Sequence, residues 1–124
     1  MTGGFDIVHS NDFERAGKWR LARRSLGLRS FGMNVVDLQP GEHIARRTHP
    51  EHHERERDHE EVFIVLSGTA TMVIDGAEHP APAGTFARFD PEPMRTVVNS
   101  SDEPTTVLIA SAPRSSGYEP LDWA

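Results

Sequence analysis

Glu60-Glu61-Val62-Phe63-Ile64-Val65-Leu66-Ser67-Gly68 runs directly into Thr69-Ala70-Thr71-Met72-Val73-Ile74-Asp75-Gly76. Glu61 to Leu66 is rich in β-branched and aromatic residues and ends on a Ser-Gly turn signal. It has the length of a strand rather than of a helix. Thr69 to Ile74 is a second such run, and Asp75-Gly76 is a favoured two-residue hairpin turn. Ala77 to His79 begins the return strand. Pro80 and Pro82 suit an edge or a turn, because proline cannot donate to a central ladder.

The same punctuation extends outward from this hairpin. Met33 to Leu38 is a strand that stops at Gln39-Pro40-Gly41. Thr85 to Phe89, Met94 to Val98 and Thr105 to Ala110 are three more strand segments. They are separated by Asp90-Pro91-Glu92-Pro93 and by the polar run from Asn99 to Pro104. Many short strands at this spacing predict an all-β sandwich or barrel. Asp12 to Leu26, with Trp19 and Leu21, holds a short helix or a strand, and Gly17 weakens the helix. Residues 1–29 therefore read as an N-terminal arm, 30–112 as the β domain, and 113–124 as a tail. The tail carries Tyr118 and Trp123 and is expected to dock on the domain or on a partner chain.

With 124 residues the chain has the size of one domain. Hydrophobic residues at 36% and charged residues at 26% fit a water-soluble globular protein. There is no cysteine, which excludes disulfides, a thiolate nucleophile and iron–sulfur ligation. The 13 basic residues against 19 acidic ones give a net charge of −6. That balance argues against nucleic acid and against anionic membranes as partners. Met1 to Asp6 lacks the basic start and apolar run of a secretory signal, so a cytoplasmic location is expected.

Gly41, the His-rich and acidic segment after it, Glu61 and Gly68, then Gly84, Pro91 and Asn99, stand in an order that resembles the small single-domain cupins. Six residues separate Glu61 from Gly68, as in the first motif of that family. Gly84, Pro91 and Asn99 look like the frame of the second. The resemblance covers residues 30–112. It implies a jelly-roll β-barrel of two antiparallel sheets, and often a homodimer; Trp19-Arg20-Leu21 and the tail are candidates for that contact.

Metal-binding members of the family use three His and one Glu. Here Glu61 matches, but an ungapped reading puts Arg55, Arg57 and Arg95 at the three His positions. Arginine stays protonated and cannot ligate. A gapped reading lets His49 and His53 join Glu61 around one divalent transition metal such as zinc, nickel, iron or manganese. Strand periodicity puts His59, Glu61, Phe63 and Val65 on one face, the barrel interior by analogy.

Three functions follow as expectations. In the first, a metal-free barrel binds a small organic acid through Arg95, with Arg57 or Arg88, because a guanidinium fork pairs with two carboxylate oxygens. In the second, an isomerase or epimerase uses His59 as general acid or base and Glu61 to tune it. The third is a metal-dependent dioxygenase built on His49, His53 and Glu61. Plainer readings stand beside them: the His-rich run is a solvated loop, Glu61 with Arg95 is an interior ion pair, and the aromatics are core.

Overall fold

The computed structural model describes residues 3–44 and 58–123. His49, His53 and Arg57 lie outside the described residues. The chain is all-β, in two antiparallel sheets. Among the described residues nine strands follow in chain order: β1 (Arg15–Ala16), β2 (Trp19–Arg20), β3 (Gly32–Leu38), β4 (His59–Ser67), β5 (Thr69–Ile74), β6 (Ala77–Pro82), β7 (Phe86–Phe89), β8 (Arg95–Val98) and β9 (Thr105–Pro113). The larger sheet has the order β1-β2-β3-β9-β4-β7, and the smaller β6-β5-β8. Strand β9 thus lies between β3 and β4, pairing Leu38 with Thr105 on one side and Val65 with Val107 on the other.

The core lies between the sheets, as period-two burial demands. Val36, Leu38, Phe63, Val65, Phe89 and Val107 from the larger sheet meet Ala70, Met72, Ala81 and Val97 from the smaller. The hairpin after β5 is as expected: Asp75 and Gly76 both have positive φ, 48° and 84°. Proline-bearing β6 is an edge strand. At one end of the barrel the side chain of Asn99 is wholly buried. It donates to the carbonyls of Leu38 and Glu103 and accepts from the backbone N–H and hydroxyl of Ser101.

The arm contains both elements that its sequence left open. β1 and β2 extend the larger sheet, and α1 (Ala22–Leu26) packs on β3, with Ala22 and Val35 both buried. Arg20 clasps the Asp37 carboxylate through two hydrogen bonds of 2.8 and 2.7 Å, Arg15 lies 3.3 Å away, and Thr106 donates its hydroxyl. Burial alone would raise the Asp37 pKa. The hydrogen bonds from Arg20 and Thr106, with the charges of Arg20 and Arg15, outweigh it and hold the carboxyl below its ordinary value. Stability from a depressed carboxyl is present above its unfolded value and is lost as pH falls through the folded one. Asp37→Asn is therefore expected to cost about 1–2 kcal/mol at neutral pH. Urea unfolding of the two proteins should converge below about pH 4. A constant difference across that window would mean that charge plays no part in the clasp.

At the start of the tail Arg114 donates its backbone N–H to the Asp58 carbonyl at 2.7 Å, while Tyr118, Leu121 and Trp123 further on are exposed. No helix among the described residues is long and apolar enough to cross a membrane.

Candidate functional site

The end of the barrel opposite Asn99 is built from the start of β4, the end of β9, the end of β7 and the start of β8. Strand register fixes which side chains face inward there. Glu61 lies between Ser111 on β9 and Phe89 on β7, and His59 lies beside Pro113. Arg95 pairs with Ile74 in the smaller sheet. One face of β4 thus presents His59, Glu61, Phe63 and Val65 in turn, as the period predicted.

Glu61 and Arg95 join the two sheets. One carboxylate oxygen, Oε1, accepts from Arg95 Nη2 at 2.5 Å and from Nε at 3.2 Å. Arg95 Nη1 donates to the carbonyls of Asp90 and Pro93, each at 2.8 Å, with Pro91 O at 3.4 Å. The loop between β7 and β8 therefore turns backbone oxygens onto the guanidinium. The Phe89 ring lies under it, 5.0 Å from the guanidinium carbon. The two side chains differ in access: that of Arg95 is 1% exposed and that of Glu61 13%. Glu61, not Arg95, is the member of the pair that reaches toward solvent. Among the described residues its second oxygen, Oε2, has no hydrogen-bond partner.

His59 and Ser111 complete this end. His59 Nδ1 lies 3.5 Å from Ser111 Oγ, a long contact. Gly32 faces Ser111 across the β3–β9 ladder, and a Cβ at Gly32 would come within 3.1 Å of that hydroxyl. Sequence reasoning missed Ser111, because it ended β9 at Ala110. Continuing the alternation from Val107 and Ile109 by one step would have found it.

Arg88 lies elsewhere. It alternates with Phe89, which is buried, so it projects from the outer face. There it bonds Glu60 and Asp90, each at 2.9 Å. The hydrogen bond to Asp90, then that to Glu60, raise its pKa further above the ordinary arginine value. An exposed pair of this kind stabilises little. The structure thus pairs Glu61 with Arg95, sets His59 on the same face of β4, and leaves Arg88 outside.

The cupin-domain family profile matches residues 34–111. The chain is a cupin. Solved structures agree. A cupin protein from Bacteroides fragilis is 20% identical, covers 98% of this chain and 94% of its own, and superposes with a TM-score of 0.77. A sugar phosphate isomerase of the cupin superfamily from Silicibacter pomeroyi is 26% identical, with a TM-score of 0.64. It covers 76% of this cupin, which spans only 57% of that protein's length. The cupin domain of a transcriptional regulator from Enterobacter cloacae is 24% identical over 73% of this chain and 84% of its own, with a TM-score of 0.56. No protein of curated function matches this cupin.

Among the described residues, no three of His, Asp and Glu converge as a cation site requires. Oε1 of Glu61 holds the Arg95 guanidinium, and His49 and His53, which the gapped reading set beside Glu61, lie outside the described residues.

Proposed function

We propose that this cupin binds a small hydroxylated organic molecule, a sugar derivative or a hydroxy acid, at the end of the barrel formed by Glu61, His59 and Ser111. The observation that carries the reading is the Glu61 carboxylate, fixed through Oε1 by Arg95 at the edge of a largely apolar interior, with Oε2 unpartnered among the described residues. A fixed carboxylate oxygen accepts a ligand hydroxyl well, and nearby imidazole and hydroxyl groups offer further polar contacts. A bare carboxylate bound to Arg95 is less well served. The guanidinium is buried, its charge faces Glu61, and Nη1 already donates to carbonyls. The ligand acid expected from the sequence then binds through its hydroxyl rather than through a guanidinium fork.

The test is calorimetric titration with sugar phosphates, free sugars and hydroxy acids such as malate, on wild type, Ser111→Ala and Glu61→Gln. At least one compound should bind wild type. Glu61→Gln should weaken it about 10-fold or more, since a hydrogen bond to a charged group is lost. Ser111→Ala should weaken it about 5-fold. Equal affinity in all three proteins would place the ligand elsewhere.

A second reading, proton transfer on such a ligand, is favoured by His59 and Glu61 sitting two residues apart on one face, about 7 Å along the strand. The similarity to a sugar phosphate isomerase points the same way. In that reading His59 moves the proton and Glu61 holds the adjacent hydroxyl. Incubation with aldose and ketose phosphates in deuterium oxide tests it, because isomerisation would exchange the hydrogen beside the carbonyl. A ligand that binds without exchange leaves the binding function alone.

A further inference from the structure

The geometry points to Arg95 as a built-in cation that occupies the coordinating face of Glu61, so that Glu61 ligates no metal in this protein. Four observations carry this. Both Arg95 bonds to the carboxylate fall on one oxygen, through Nε and Nη2. The guanidinium is anchored behind by the Asp90 and Pro93 carbonyls and stands over the Phe89 ring. It cannot swing away without leaving those oxygens unpaired in a buried place. And Arg95 is 3% exposed, so water does not screen its charge.

A divalent ion on the remaining oxygen, Oε2, would sit within a few ångströms of a permanent positive charge that can neither deprotonate nor leave. Like charges at that separation repel strongly away from water. The neighbouring inward groups do not compensate. Among the described residues they are the Ser111 hydroxyl, the His59 imidazole and the apolar side chains of Phe89 and Ile74. Glu61 is thus an acceptor for neutral donors, and Arg95 is a positioning residue that aims it. This assignment holds whether or not the ligand proposed above is the right one.

The experiment is titration of zinc and of nickel into untagged, EDTA-stripped protein, with wild type beside Glu61→Gln. The substitution keeps an oxygen for Arg95 to hold, and it removes the carboxylate that a metal at this position would need. The expected result is that both proteins bind each metal with affinities within twofold of one another, or that neither binds. A loss of tenfold or more in Glu61→Gln would overturn the assignment. A second readout needs no variant. The carbon signal of the Glu61 carboxylate in labelled wild-type protein should not shift when zinc is added to saturation, and a shift of the size that coordination produces would overturn it equally. Failure of the hydroxylated-ligand titrations, with Glu61 silent toward metal, would remove that function and leave this inference standing.

Discussion

Arg95→Ala is expected to lower the unfolding free energy by about 3–5 kcal/mol, because it leaves a largely buried carboxylate without its counter-charge. The Asp90 and Pro93 carbonyls lose their donor in the same step. For a domain whose total stability is about 5–15 kcal/mol, that is a large share. Arg95→Lys should rescue little. One ammonium cannot meet Glu61 on one side and two carbonyls on the other in a single plane, as the guanidinium does. The double variant Glu61→Leu with Arg95→Met separates charge from packing. It removes both ions, keeps apolar volume, and should recover a good part of the loss, since buried pairs exchange for apolar residues at little net cost. The recovery is incomplete because the two carbonyls still lack a partner. Urea unfolding at pH 7 reads all four proteins, compared by midpoint at constant slope. A loss below about 1 kcal/mol for Arg95→Ala would show that the pair behaves like one on the surface. Arg95→Ala is accordingly a poor binding mutant, since lost affinity and lost fold would arrive together.

Gly68→Ala is the second large effect, at about 3–5 kcal/mol. Gly68 follows β4 with φ of 78°, where an L side chain is strained. A Cβ there would also press on the Pro104 carbonyl oxygen and come within 2.5 Å of Thr105 Oγ1 and 2.9 Å of Thr105 Cα. Two of these atoms are backbone, and Thr105 is wholly buried, its hydroxyl donating to the Thr69 carbonyl. Neither side can yield cheaply. Gly76→Ala is the control. It has the same kind of positive φ, 84°, and nothing within 4 Å of the added carbon. It should cost only the backbone strain, about 1–2 kcal/mol. Thermal unfolding of both variants separates the clash from the strain, and equal losses would rule the clash out.

How much of this was legible in the sequence differs residue by residue. The strands after Gly32 were legible because apolar runs and Gly or Pro turns mark them strongly, and β5 matches residue for residue. β1 and β2 were not, because two residues carry no period, and their pairing depends on β3 across the Arg20–Asp37 clasp. The closeness of Glu61 and Arg95 was legible through the motif frame. Which of the two meets solvent was not, since it depends on where the β7–β8 loop places its carbonyls. Arg88 was readable in hindsight: if Phe89 belongs to the core, its neighbour on a strand must face out.

β9 has one more consequence, for how the molecule forms. It is the last strand described, and it lies in the middle of the larger sheet, holding β3 on one flank and β4 on the other. Its partners on β3 lie far back in the chain, as Leu38 and Thr105 illustrate. Such non-local pairing makes for slow folding. During synthesis β3 and β4 wait with open backbone edges until Thr105–Pro113 has emerged from the ribosome. The nascent chain is therefore most exposed to mispairing just before β9 arrives.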